Sequence, residues 1–321
     1  MKSPITISDV AQHVGVSAAT VSLALNNDPE RYRISEATVA RVRQAADKLG
    51  YRPNTAARAI RTGRFNTIAL LLASGSGASS LPRSLVMSLG SAAFERDLNL
   101  SVVEMPDRML LEDEQWPRIL VERAVDGVLA NYSDAGQPRI REFVEQHRIP
   151  AVWLNVKQEV DAVYPDDWAA GRLATEHLLA LGHRDIAYCG FRDDPHYSVT
   201  DRPGGYTDVM EQSGLAPRVI YRDPGSDFVT PIDRRLDTAV SLLSEPDRPT
   251  AMITYSTAEM LPLLYAAALM GIDVPGDLSL VAVSETPVSH FGRVATSVVL
   301  HDADTGHTAF EMLTKRIGSA D

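Results

Sequence analysis

The chain has 321 residues, enough for two or three domains and a sizeable core. Its 45% apolar and 23% charged residues exclude a disordered or fibrous chain. One cysteine, Cys189, excludes an intramolecular disulfide and fits a reducing compartment. No apolar run is long enough to span a bilayer, and the opening MKSPITISDVAQ lacks the apolar core of a secretory signal, so the cytoplasm is the expected location. The net charge of −11 would argue against nucleic acid if it were evenly spread. Residues 1–64, however, hold ten Lys/Arg against five Asp/Glu, a net of +5 that leaves −16 for the remainder. A basic head on an acidic body points to a head that binds nucleic acid.

In chain order, Thr6 with Asp9 three residues later approaches a capping box, and Val10, Ala11 and Val14 give an apolar face. Gly15 suits a left-handed helix stop. Ser17 caps a second helix in which Val21 and Leu25 face inward. Two short helices on so tight a turn make a helix-turn-helix. A third helix runs from the cap Ser35 through Val39, Val42, Ala46 and Leu49 to the stop at Gly50. The three helices can share a small core around Val10, Val21, Leu25, Val42 and Leu49. Spacing alone leaves open a plain three-helix bundle with no nucleic-acid role. Next, Pro53 ends the third helix and Asn54 can cap a fourth, over residues 55–61, too short to be stable alone.

After Phe65 the pattern changes to alternating strands and helices. TIALLLA, LSVVEM, DGVLAN and PAVWLN read as buried parallel strands, with amphipathic helices near 83–97, 112–124 and 138–147. A second series follows: DIAYCGF, RVIYRD, TAMITY and LSLVAVS, with helices near 168–181, 203–213, 233–244 and 257–271. Two such series predict two doubly wound lobes with a ligand cleft at the strand C-terminal ends.

The wording of the head is more specific than its spacing. TISDVAQHVGVSAATVSLALN, followed by ISEATVARVRQAADKLGYRPNTAARAIRTGR, closely resembles the DNA-binding head of the lactose-repressor (LacI) family from Thr6 to Arg64. The resemblance implies that the second helix enters the major groove by its N-terminal end. Ala18, Ala19 and Leu23 then stand at the base-reading positions. They offer apolar contact, above all to the thymine methyl, and no bidentate hydrogen bond. The other reading of Leu23 is simple packing on a neighbour. Thr6, Ser17, Thr20, Ser22 and Asn26 suit phosphate or base-edge contacts, and Arg33, in a loop that looks longer than usual, is either a phosphate contact or an ordinary solvated charge. Residues 54–61 match the family's hinge helix, with Asn54 as cap and Ala57 among small residues that let two hinges approach. Ile60 stands at the position of a minor-groove wedge.

The body is similar, more loosely, to the family's effector domain and to periplasmic sugar-binding proteins: VDGVLAN, IPAVWLNV, ATEHLLALGHRDIAYCG, RPGGY and VPGDLSLVAVSE occur in the expected order. Arg202 matches the Arg of the R-x-x-G-aromatic motif, which implies contact with ligand hydroxyls; a surface ion pair is the alternative. Ser198 falls on the same implied wall, and Leu81, Arg83 and Ser84 fall in the loop after the first strand, which the resemblance implies closes over the ligand from the other lobe. Three positions where relatives commonly carry carboxylates hold Asn155, Ser256-Thr257 and Ser284, the last followed by Glu285. An effector would therefore differ from the usual sugar; a modified sugar, a nucleoside-like compound and no effector at all are the options. HDADTGHTAFEMLTKRIGSAD resembles the family's last large helix, and the strand that follows it in relatives has no counterpart here.

No His or Cys spacing suits a metal, no Ser/His/Asp grouping suits catalysis, and Gly-rich SGSGASS lacks the G-K-[ST] of a phosphate loop. No cofactor is expected. The predicted architecture is α/β: a three-helix helix-turn-helix head at 1–51, a hinge helix at 52–64, and a periplasmic-binding-protein-like body at 65–321. The body divides into two lobes with doubly wound parallel sheets, one at 65–163 plus 292–321 and the other at 164–291. The expected function is a homodimeric DNA-binding regulator, most simply a repressor, on a near-palindromic operator and tuned by a small molecule. The alternatives are a regulator without such an effector, and a solute-binding protein or sugar-modifying enzyme built on the body.

Overall fold

The computed structural model describes residues 5–25, 34–52, 59, 63–73, 81–112, 115–132, 137–190, 196–221, 232–284, 296–299 and 304–319. The chain divides into two compact units, Met1–Phe65 and Asn66–Asp321.

The first unit holds α1 (Ile7–Val14), α2 (Ala18–Leu25) and α3 (Glu36–Leu49). The ends of α1 are fixed locally. The Thr6 N–H and hydroxyl both donate to Asp9, at 2.8 and 2.7 Å, while the Asp9 N–H donates back to the Thr6 hydroxyl. Gly15, at φ 75°, closes the helix in the left-handed region that only glycine adopts cheaply. Arg41 of α3 donates to the Val14 carbonyl at 2.7 Å, satisfying one of the acceptors that a helix C-terminus leaves over. Val10, Val21, Ala24 and Val42 are wholly buried in the shared core, with Leu25 and Leu49 packed at its margin. The Asp9 carboxyl is held below the usual carboxylate range, first by the Thr6 backbone N–H and then by its hydroxyl. A carboxyl lowered in this way contributes stability above its unfolded value, about pH 4, and loses it as pH falls through the lower folded value. Exchange of the first-turn amides of α1, measured in the intact chain, should therefore rise below about pH 4. Asp9→Asn should already exchange faster at neutral pH and show less acid dependence.

The second unit contains two five-stranded sheets. The first is built from β1 (Thr67–Ala73), β2 (Asn99–Met105), β3 (Gly127–Asn131), β4 (Ala151–Leu154) and β5 (Ala162–Val163), in the order β2-β1-β3-β4-β5 and all parallel. Parallel strands need crossover helices, and these cover both faces. Along β1, Ile68 and Leu70 face α4 (Arg83–Glu95), while Ala69 and Leu71 face the opposite layer, which includes Phe143 of α7 (Gln137–Gln146). Burial on both faces explains why the central strands read as continuous apolar runs. Two expectations fail here. β2 is an edge strand and largely exposed, in keeping with its Asn99, Ser101 and Glu104. The helix expected over 112–124 is instead two short ones, α5 (Asp107–Leu111) and α6 (Arg118–Val121). Pro117, at the cap of α6, disfavours helix in the residue before it and has no N–H to continue one.

The second sheet holds β6 (Ile186–Gly190), β7 (Arg218–Tyr221), β8 (Ala251–Thr254), β9 (Ser279–Ser284) and β10 (Thr296–Val299), in the order β10-β9-β8-β6-β7. α8 (Asp167–Ala180) and α9 (Ser198–Gln212) cover one face, and α10 (Ile232–Leu243) and α11 (Thr257–Leu269) the other. The strand β10 is absent from the sequence reading, which gave 292–321 to the first lobe. Residues 296–299 belong to the second sheet, while α12 (Asp304–Ser319) packs against α4 and the first. Four residues with two polar ones among them carry too little pattern to announce a strand. The expected helix at 203–213 also begins earlier, at Ser198, and runs through Pro203. That proline leaves the Val199 carbonyl without its usual N–H donor, and the Tyr221 hydroxyl donates to it at 3.1 Å.

Candidate functional site

In the first unit, Ser17 caps α2 by accepting the Thr20 N–H at 3.0 Å, and the two hydroxyls lie 2.8 Å apart. Val21 and Ala24 turn into the core. Ser17, Ala18 and Ala19 are consequently exposed at the helix N-terminus, with Thr20, Ser22 and Leu23 half-exposed beside them. This end carries free N–H groups and no charged side chain, a surface suited to phosphate and methyl groups. The hydroxyl of Thr6 is exposed but engaged in the α1 cap. Asn26, Arg33, Asn54, Ala57 and Ile60 lie outside the described residues.

In the second unit, polar side chains gather at the C-terminal ends of the strands, where open α/β sheets bind ligands. The close fit of α8 against α9 depends on glycine. A Cβ on Gly171 would overlap the Arg202 carbonyl, and one on Gly205 would overlap the Trp168 carbonyl. The glycine of R-x-x-G is thus a requirement of helix approach. The tyrosine after it, Tyr206, donates to the Ile186 carbonyl at 2.7 Å. This fit brings Arg202 to Asp167: Nε donates to Oδ1 at 2.6 Å, and both side chains are buried. Arg202 also donates to the Tyr255 carbonyl, and its guanidinium sits 4.3 Å from the Tyr255 ring centre. Burial opposes the Arg202 charge, but Asp167 and then Tyr255 more than offset it and raise its pKa. Arg202 is therefore no surface ion pair.

Two wholly buried polar atoms in this region have no hydrogen-bond partner: Asp167 Oδ2 and the Tyr188 hydroxyl. Burial pushes the Tyr188 phenol well above its usual range. Burial, and then the Asp167 carboxylate, does the same to Tyr197. Around the pair runs a chain of contacts. Ser198 Oγ lies 2.7 Å from the Tyr255 hydroxyl and 2.7 Å from His196 Nδ1, and His196 Nε2 lies 3.0 Å from the Asn155 carbonyl. Asn155, at φ 57°, follows β4 in the first lobe and accepts from the Tyr197 hydroxyl at 3.4 Å.

The structure thus brings Asn155, Ser198 and Arg202 into one cluster. Ser256 and Ser284 are set at the ends of β8 and β9. There Ser256 caps α11 and donates to Glu259, and Ser284 lies 2.8 Å from Thr257 Oγ1. In the first lobe, Leu81 packs against the sheet core, Arg83 is exposed, and Ser84 has a buried hydroxyl without a partner. Glu285 lies outside the described residues. Asp167, Tyr188, His196, Tyr197 and Tyr255 escaped the sequence reading. Asp167 is 35 positions from Arg202, and its only local signal is a cap-like PDDW at the start of a helix. Among the described residues no group of three His, Cys, Asp or Glu could hold a metal ion, and no helix is long and apolar enough to cross a membrane.

The family described as bacterial regulatory proteins of the lacI family matches residues 6–54, and the periplasmic binding protein-like domain matches 175–321. Head and body occur in the family's order. The chain thus carries a lacI-family DNA-binding head followed by a periplasmic binding protein-like body. The chain is 28% identical to the ribose operon repressor of Escherichia coli K12, over 97% of this chain and 93% of that one. It is 27% identical to the HTH-type transcriptional repressor PurR of Vibrio campbellii, over 97% and 92%. Its fold matches the crystal structure of a lac repressor dimer bound to operator and an anti-inducer, with a TM-score of 0.77 at 22% identity, covering 99% of this chain and 94% of that one. With its lacI-family head, the chain is a DNA-binding transcriptional regulator and not an enzyme.

Proposed function

We propose that the protein represses transcription as a homodimer on a near-palindromic operator, and that a small sugar-like or nucleoside-like molecule between the lobes of the body controls its DNA affinity. The observation that carries the ligand reading is the pair of buried, unpartnered atoms beside Arg202, Asp167 Oδ2 and the Tyr188 hydroxyl. Leaving such a group unpaired costs about 1–3 kcal/mol, which a ligand offering a donor and an acceptor would recover. A ligand that prefers one lobe angle shifts the DNA-competent population by linkage. The test is thermal unfolding of the full chain against sugars, sugar phosphates, nucleosides and nucleobases. A true effector at about a hundred times its Kd adds roughly 2.7 kcal/mol. The shift should vanish in Arg202→Ala. No shift with any compound would favour regulation without a small molecule.

Base reading by methyl contact rests on Leu23, half-exposed on the uncharged end of α2. Leu23→Arg should redirect selection from random DNA toward guanine at one position in each half-site, a change of about 1–3 kcal/mol in discrimination. Unchanged preferences would return Leu23 to a packing role.

The dimer reading is supported by apolar side chains on one flank of each lobe. Met87 and Phe94 lie on one face of α4, with Phe94 86% exposed, and Val102 lies on the same side of β2 as Leu100. Leu261, Tyr265 and Leu269 repeat every four residues along α11, all exposed. Phe94→Glu combined with Leu269→Glu should give monomers in analytical ultracentrifugation at micromolar concentration, with DNA affinity reduced at least about a hundredfold by loss of the second half-site. A double variant that stays dimeric would move the interface elsewhere.

A further inference from the structure

We infer that Arg41 is a phosphate contact of the DNA-binding head, aimed before DNA arrives by its bond to the turn of the helix-turn-helix. Arg41 lies in the second turn of α3, and its Nη2 donates to the Val14 carbonyl at 2.7 Å, 27 positions back along the chain. Val14 is the last residue of α1, and Ser17, the cap of α2, follows three positions later. Three residues span at most about 11 Å. The guanidinium is therefore held beside the turn that delivers α2. The tie uses one of the five N–H groups in the guanidinium fork. The side chain is exposed, and among the described residues no carboxylate pairs with it. Glu36 and Asp47 share its helix without reaching it, and Asp9 is engaged in the α1 cap. Asp28, Glu30, Arg31 and Arg33 lie outside the described residues. The charge and the remaining N–H groups of Arg41 are thus open to an acceptor from outside, and phosphate oxygens suit such a fork.

The size of the groove supplies the phosphate. A major groove about 12 Å wide is filled by a helix with its side chains, so the sugar-phosphate strands run along both flanks of an inserted helix. A cation fixed at the turn just before the inserted end stands where one of those strands passes. Arg43, two positions on, is the natural comparison. It is also exposed, but among the described residues it has no hydrogen bond to fix it. Two helical steps turn it through about 200°, to the other flank of α3 and away from the turn. The tie also places a cation at the carbonyl end of α1, where the helix dipole favours it. A residue with that role alone is a brace. The two roles are separable, because a brace releases no counterions from DNA. The contact rests on α2 as the element that enters the groove.

Affinity of the full chain for a random-sequence DNA duplex, measured from about 50 to 200 mM salt, reports how many phosphates are neutralised. Arg41→Gln should lower the slope of log affinity against log salt by about 0.9 for each head bound, and Arg43→Gln by less than about half of that. Arg41→Lys, which keeps the charge, should restore most of the slope. An unchanged slope in Arg41→Gln, an equal fall in Arg43→Gln, or a fall that Arg41→Lys does not restore overturns the contact. If Arg41→Gln does not fold, the wild type decides by NMR. The Arg41 side-chain N–H signals should shift and exchange more slowly with water when the duplex is added, and unmoved signals overturn the proposal. Ala18→Glu separates the contact from the reading on which it rests. Loss of binding in Ala18→Glu, with the slope unchanged in Arg41→Gln, fails the contact alone. Full binding in Ala18→Glu fails the placement of α2 in the groove, and the contact with it.

Discussion

Asp167→Leu lowers the stability of the body by about 3–5 kcal/mol, because it strands the buried Arg202 guanidinium without its carboxylate. For a unit of this size that is a fall of roughly 10–15 °C in Tm. The double variant Asp167→Leu with Arg202→Met should regain most of the loss, since removing a buried pair together costs far less than breaking it. The double variant should nevertheless bind no effector. Denaturant unfolding of the full chain, following the body's transition, checks the first part, and the ligand panel checks the second. A neutral Asp167→Leu would mean that the guanidinium reaches water or another acceptor, and the site would have to be redrawn.

Gly171→Val lowers stability by about 3 kcal/mol or more. The new side chain meets the Arg202 backbone, and a helix backbone cannot step aside as a flexible side chain can. Because Gly171 sets the approach of α8 to α9, the variant should also lose effector response through displacement of Arg202. Gly318→Ala is the control. It sits in α12 with open space around the added methyl, so it should be neutral or gain up to about 1 kcal/mol. Equal losses in the two variants would show that helix glycines matter here for some reason other than the α8–α9 approach.

The head was legible in the sequence because its rules are local. Thr6 and Asp9, Ser17 and Thr20, and Ser35 and Thr38 are each three residues apart, and Gly15 and Gly50 stop their helices in the expected left-handed conformation. The central strands were legible because burial on both faces leaves an unbroken apolar run, as in TIALLLA. Their partners were less so. The exposure of β2 and the existence of β10 depend on which strand lies at a sheet edge, a property of topology that no window of sequence contains. The polar cluster around Arg202 was half legible. Arg202 stood out through its motif, but Asp167 and Tyr255, 35 and 53 positions away, meet it only because glycines let two helices close up. The missing carboxylates at Asn155, Ser256 and Ser284 suggested a site poor in acids. Asp167 supplies a buried one from a direction that reading did not consider.

Selection of binding sites from random double-stranded DNA by the full-length protein tests the central claim most directly. The account predicts enrichment of a two-fold symmetric site, with thymine methyls placed where Ala18, Ala19 and Leu23 enter each half, and affinity that falls steeply with salt. No enriched sequence, or an enriched sequence without symmetry that Ala18→Glu leaves unchanged, would contradict the assignment of the exposed end of α2 as the reader of an operator.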